Sequence, residues 1–258
     1  MSLMSLQGKT IVITGTSSGI GAETARLARF QGATVIGMDR NDPSLTLDGF
    51  IKADLGTAQA IDAAVAQLPA QVDALCNIAG VPGTAPADLV ARVNYLGLRH
   101  LCLRVLDRLP EGGAIVNIAS ILGAEWPQRL APHKALAETA DFEAGLAWLA
   151  DKPVPQETCY QYFKEALIVW TVTQSQQWFL EKGVRMNCVA PGPVFTPILG
   201  DFVAMLGEER VQKDAHRMKR PALADEIAPV VAFLCSDASR WISGVNLPVD
   251  GGLASTYL

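Results

Sequence analysis

Seven short apolar runs recur along the chain, and most are followed by a stretch with helical character. The first, "KTIVIT" (9–14), leads through glycines into "ETARLARFQ". "ATVIGMD" (33–39) and "FIKAD" (50–54) come next, the latter ahead of "TAQAIDAAVAQL". "VDALCNIAG" (72–80), "GAIVNIAS" (113–120), "GVRMNCVAPG" (183–192) and "GVNLPVDGG" (244–252) complete the set. These runs are apolar throughout instead of alternating, as strands buried on both faces must be. Strands that alternate with helices predict a parallel, doubly wound α/β sheet. No linker, repeat or low-complexity segment divides the chain, so one domain over 1–258 is expected.

Composition narrows the function. Half of the 258 residues are hydrophobic, enough for a substantial core, and the net charge of −5 carries no basic run, which argues against nucleic acid. No apolar run approaches the roughly twenty residues that span a bilayer. The start, "MSLMSLQGKT", lacks the apolar centre of a signal peptide; its first three residues read as an artificial leader with Met4 as the native start. Five scattered cysteines form no metal or disulfide pattern, which fits a reducing cytoplasm. His100, His133 and His216 lack metal spacing, so no metal is expected.

Two places carry candidate chemistry. "ITGTSSGIGAETARLA" sets Gly15, Gly19 and Gly21, with Ser17, Ser18 and Ile20, between a strand and a helix. Backbone that must approach a pyrophosphate needs glycine, and a helix N-terminus offers it free N–H groups and partial positive charge. Asp39 ends the second strand, 24 positions after Gly15. A carboxylate there accepts from ribose hydroxyls and repels a 2′-phosphate, which favours NAD over NADP, although Arg40 stands beside it. In "ETCYQYFKEAL" (157–167), Tyr160 and Lys164 are four apart and share a helix face, whereas Tyr162 points elsewhere.

In their order these segments resemble the short-chain dehydrogenase/reductase family: "TGTSSGIG", "CNIAG" (76–80), "VNYLG" (93–97), "NIAS" (117–120), "YQYFK" and "PGPVFT" (191–196). The resemblance implies a single Rossmann domain with a seven-stranded parallel sheet and helices on both faces. It implies Tyr160 as general acid/base and Lys164 as the group that favours phenolate and binds the nicotinamide ribose. It gives Ser120 the substrate oxygen, and Asn94 a water in a proton relay. Asp54 and Leu55 would flank the adenine, Thr196 the carboxamide, with Asn77, Ala79, Gly80, Pro191, Gly192 and Val194 completing the NAD site. Hydride would pass to the B face of the ring. These residues together argue against a non-catalytic dinucleotide-binding regulator.

The chain departs from the family in one place. Ser120 and Tyr160 are 40 residues apart instead of about a dozen. The extra segment, 121–156, reads as a helical insertion running from Lys134 to Ala150 between prolines. A similar insertion marks the branch resembling bacterial 3α-hydroxysteroid dehydrogenase/carbonyl reductase and coniferyl-alcohol dehydrogenase. Residues 198–222 read as a substrate lid, with Ile198, Leu199, Phe202, Val203 and Leu206 on one apolar face. A bulky hydrophobic alcohol or ketone is therefore expected, a 3α-hydroxysteroid first and coniferyl alcohol as the alternative. Leu122, Trp126, Leu199 and Phe202 would join Ser120 and Tyr160 around it. Family members commonly form tetramers through the helices after the fourth and fifth strands. The insertion enters beside that surface, so a homodimer through another face is expected.

Overall fold

The computed structural model describes residues 2–257; Met1, part of the presumed leader, and Leu258 lie outside it. Seven parallel strands form one sheet: β1 (Thr10–Thr14), β2 (Thr34–Asp39), β3 (Gly49–Lys52), β4 (Ala74–Asn77), β5 (Ala114–Ile118), β6 (Arg185–Pro191) and β7 (Asn246–Val249). All seven predicted runs are present as strands; six are trimmed at one or both ends, and the third starts one residue early, at Gly49, and ends at Lys52. Helix α1 (Gly19–Phe30) follows β1 and α2 (Ala58–Val65) follows β3. Then come α3 (Ala87–Ala91) and α4 (Leu98–Val105), joined by a π-helical stretch over Arg92–Gly97. The insertion supplies α5 (Leu130–Ala137) and α6 (Phe142–Asp151), and α7 (Cys159–Lys182) carries Tyr160 and Lys164. The C-terminal part adds α8 (Leu199–Leu206), α9 (Glu208–Met218) and α10 (Ala224–Cys235).

Strand order is β3-β2-β1-β4-β5-β6-β7, so the winding reverses between β1 and β4. Side chains alternate across the pleat and feed two cores. Val12, Leu75 and Ile115 pack with Ile61 of α2, Leu101 of α4 and Leu167 of α7 on one face. Ile11, Ile13 and Val116 pack with Ala25 of α1 and Ile227 and Val231 of α10 on the other. A cleft opens outside the C-terminal strand ends at the reversal, where a doubly wound sheet leaves a crevice.

The helical insertion expected between the fifth strand and the Tyr160-bearing helix is built of two helices, with a break between Ala137 and Phe142. Thr139 Oγ1 donates to the Leu136 carbonyl at 2.8 Å, and the Asp141 carboxylate accepts from Ala144 N–H at 2.8 Å as the cap of α6. Short polar side chains that bond the local backbone end one helix and start the next. Two buried polar anchors dock the pair. Arg99 of α4, 2% exposed, donates to the Leu136 carbonyl at 3.0 Å, Thr139 Oγ1 at 2.9 Å and the Asp141 carbonyl at 2.7 Å. Glu165 of α7 accepts from Arg129 Nε at 2.7 Å and pairs with His133 Nε2 at 2.8 Å. Both anchors are on helices that follow β4 and β5, so the insertion covers that side of the molecule.

Candidate active site

The glycine turn closes the floor of the cleft. A β-carbon at Gly21 would run into the Gly15 carbonyl, so the turn is that tight only because residue 21 has none. Ser18 precedes α1 without its side chain capping any first-turn N–H, which leaves those donors to a phosphate. Asp39, 8% exposed, accepts from Ser17 N–H and from Asn41 N–H, each at 2.9 Å. Its carboxylate is thereby fixed at the end of β2, facing the cleft. Gly15, Ser17, Ser18, Gly19, Ile20, Asp39, Arg40, Asp54 and Leu55 all line it, and so do Ala79, Gly80, Pro191, Gly192, Val194 and Thr196. An uncapped helix start, a Cβ-free turn and an acidic strand end fit a nicotinamide dinucleotide.

The loop after β4 is held by two buried side chains. Thr14 Oγ1 accepts from Ile78 N–H at 2.9 Å and Ala79 N–H at 3.0 Å. Asn94 lies in the π-helical stretch; its Oδ1 accepts from Val81 N–H at 2.8 Å and its Nδ2 donates to the Val81 carbonyl at 2.9 Å. Both ends of the amide thus brace the cleft wall, a part the sequence reading did not assign to Asn94.

Ser120, Tyr160 and Lys164 meet where β5 ends. Leu122 N–H donates to Ser120 Oγ at 3.2 Å, and the Ser120 hydroxyl hydrogen-bonds Tyr160. Burial pushes the Tyr160 phenol well above its ordinary range, and the Ser120 hydrogen bond pulls back against it. Burial also brings Lys164 down to about 8. Its Nζ donates to the Ile118 carbonyl at 2.7 Å and lies 5.6 Å from the Tyr160 ring centroid. A buried group resists whichever form carries charge, so both residues are biased toward neutrality.

Helix α8 rests on the tyrosine. Phe202 of α8 meets the Tyr160 ring edge to face at 5.2 Å between centroids. Thr84 Oγ1 donates to Asp201 of α8 at 2.8 Å, and Gln156 Nε2 donates to the Gly83 and Ala85 carbonyls, both at 2.8 Å. A β-carbon at Gly83 would strike Met205 of α8 and come within 2.9 Å of Tyr160 Cβ, so glycine there allows the close seat. Of the predicted apolar face, Ile198, Leu199, Phe202 and Leu206 line the cleft and Val203 does not. Leu122 lines it as expected.

Two expected site residues lie elsewhere. Asn77 faces the core, because it shares the pleat face of Leu75 and stands in register with Asn117 of β5. Its Nδ2 donates to Asn117 Oδ1 at 2.9 Å, and Asn117 donates on to Thr171 at 3.0 Å. Trp126, within the insertion, packs against the core cluster and does not line the cleft. Sequence reasoning missed Ile78, Val81, Val93 and Asp214, which do line it. The first two follow β4 directly, so the strand-end rule could have found them; Val93 and Asp214 are brought in by packing alone.

Two family models match the chain: "short chain dehydrogenase" over residues 9–133 and "Enoyl-(Acyl carrier protein) reductase" over residues 146–254. The coniferyl-alcohol dehydrogenase of Pseudomonas sp. (strain HR199 / DSM 7063) is 64% identical over 255 residues, 99% of this chain and 100% of its own. The chain belongs to the short-chain dehydrogenase/reductase family. Within that family it is also 33% identical to the 3-alpha-hydroxysteroid dehydrogenase/carbonyl reductase of Comamonas testosteroni, over 94% of this chain and 95% of that one. A solved 3-alpha-hydroxysteroid dehydrogenase from Pseudomonas sp. B-0831, complexed with NADH, superposes with a TM-score of 0.79 at 31% identity, covering 96% of this chain and 98% of that one. The chain is thus an oxidoreductase whose Rossmann fold serves a nicotinamide dinucleotide. Among the described residues no helix is long and apolar enough to cross a membrane.

Proposed function

We propose that the protein is an NAD(H)-dependent dehydrogenase for aromatic allylic alcohols of the coniferyl type, with Tyr160 as general acid/base. The observation that carries this reading is the 64% identity to a coniferyl-alcohol dehydrogenase over essentially the whole of both chains. The steroid dehydrogenase, at 33%, is about half as similar, which reverses the order in which the sequence pattern ranked the two substrates.

The residues divide the work. When bound, the nicotinamide supplies the hydride acceptor. Ser120 donates to the substrate oxygen and steadies the charge that develops on it. Tyr160 takes the hydroxyl proton in oxidation and returns it in reduction. Lys164, buried beneath it, takes the nicotinamide ribose and holds the positive side of the site. Phe202 and Leu199 of the lid exclude water from an apolar substrate. Asp39 accepts from the adenosine ribose, and its fixed negative charge disfavours a 2′-phosphate, which supports NAD over NADP.

An NAD-reduction screen over coniferyl, cinnamyl, 3α-hydroxysteroid and aliphatic alcohols tests the substrate. Turnover should be highest with coniferyl alcohol, and a preference for the steroid would overturn the reading. Titration of both dinucleotides tests the cofactor: NAD(H) should bind much more tightly, with the gap narrowed in Asp39→Ala. Equal or tighter NADP(H) binding by the unaltered protein would refute the assignment.

A further inference from the structure

A second cavity, of about 860 Å³, lies beside the catalytic cleft between the insertion, the N-terminal part of α7 and α9. Ile121, Leu122 and Asp214 line both spaces, so the two abut just beyond Ser120. One wall is apolar: Trp148 of α6 with Val154 and the prolines after it. The other is polar, and it is incompletely satisfied. Arg129 is committed to Glu165 and Glu125, and Lys152 lies 4.5 Å over the Trp148 ring. Arg210 of α9 has no ion-pair or hydrogen-bond partner among the described residues. Gln161, on the same lining, has a buried side-chain carbonyl without a partner. A buried acceptor left unpaired costs free energy that a bound donor would recover.

We infer that this cavity receives the distal, oxygen-bearing end of the aromatic substrate, with the ring against Trp148 and its ring oxygens read by Arg210. The inference rests on the substrate class proposed above. An allylic alcohol on an aryl ring is a rigid rod: with the carbinol at Tyr160 and Ser120, its far end has a route out of the cleft past Leu122, which lines both spaces. The wall it meets there is aromatic, and the free donor is a guanidinium, which suits phenol and ether oxygens. Gln161 offers an acceptor to a phenol hydrogen. Nothing in the glycine loop or the Tyr160–Lys164 pair specifies this end; the insertion and α9 build it.

Steady-state kinetics with coniferyl, cinnamyl and crotyl alcohols test it. Cinnamyl alcohol keeps the ring without its oxygens, and crotyl alcohol keeps only the allylic alcohol. Arg210 is exposed, so Arg210→Met should fold normally. It should lower the coniferyl-to-cinnamyl ratio of kcat/KM about tenfold, carried by KM, as loss of a charged donor does. Trp148→Ala should lower kcat/KM for both aryl alcohols relative to crotyl alcohol. If the unaltered protein oxidises coniferyl alcohol but neither ratio moves, the distal site is wrong and the proposed function stands. If it oxidises neither aryl alcohol, both are wrong.

Discussion

In the proposed mechanism the chemistry turns on Tyr160, and its surroundings differ from a simple reading of its spacing. The four-residue interval places Lys164 on the same face, but the ammonium is bonded to the Ile118 carbonyl, 2.7 Å away. Among the protein's own groups the one that lowers the phenol is Ser120. Alcohol oxidation needs Tyr160 to accept a proton, so kcat/KM for oxidation should rise with pH on the alkaline side. Ser120→Ala removes the hydrogen bond that favours phenolate; in its residual activity that limb should move to higher pH. A pH–rate series on both proteins checks this, and a shift to lower pH would refute it. Tyr160→Phe should retain dinucleotide binding and lose turnover by roughly 10² or more, the contribution of a positioned acid/base. Tyr162→Phe should stay active, because that ring packs tilted against His133 and edge to face against Phe163. Activity in Tyr160→Phe with none in Tyr162→Phe would reverse the assignment.

The insertion departs most from the family's usual spacing, and an ion pair on the buried Glu165 carboxylate ties it to α7. The Glu165 carboxylate is fully buried and neighbours Lys164. Burial opposes its ionisation, but hydrogen bonds from Arg129 and His133 outweigh burial and hold it below its ordinary value of 4.5. Its stabilising contribution is therefore present above that ordinary value and is lost as pH falls through the lower folded one. Arg129→Ala leaves the carboxylate with His133 alone. Breaking a wholly buried pair costs about 3–5 kcal/mol; Arg129 is 41% exposed, so solvent screening reduces the expected cost. About 2 kcal/mol corresponds to a fall in Tm of roughly 4–8 °C at this chain length. Calorimetry at neutral pH measures it. Between pH 6 and pH 4 the variant should also lose less stability than the parent, since an unpaired buried carboxylate prefers its proton. An unchanged Tm would show that the pair does not hold the insertion.

At the scale of the whole molecule, the insertion decides which surfaces remain free. Arg99 and Glu165 fix it to α4 and α7, the helices that follow β4 and β5. That is the surface through which relatives of this family commonly build tetramers. With it covered, we expect a homodimer through another face, the side of β7 being the remaining sheet edge of that half of the molecule. Light scattering coupled to gel filtration should give twice the mass of the 27.5 kDa chain. A tetramer built on α7 would overturn the expectation.

Much of this protein is fixed by short-range pattern. The apolar runs place seven strands in order, because a strand buried on both faces can be read from its own residues. The turn from Gly15 to Gly21, Asp39 at a strand end and the Tyr160–Lys164 face are equally local, resting on backbone freedom, strand length and helical period. The apolar face of α8 was legible for the same reason. Other features depend on neighbours distant in sequence. Periodicity marks helical spacing from Lys134 to Ala150 without locating the break within it: Thr139 and Asp141 bond their own backbone, and Arg99, about 40 positions earlier, binds the carbonyls that this break exposes. Asn77 looked like a site residue until its register with Asn117 turned it into the core. Trp126 looked exposed to substrate until packing took it away. The lowering of Lys164 is a burial effect that no spacing encodes. The second cavity lies between α6, α7 and α9, whose apposition depends on packing across the whole chain and not on any one segment of it.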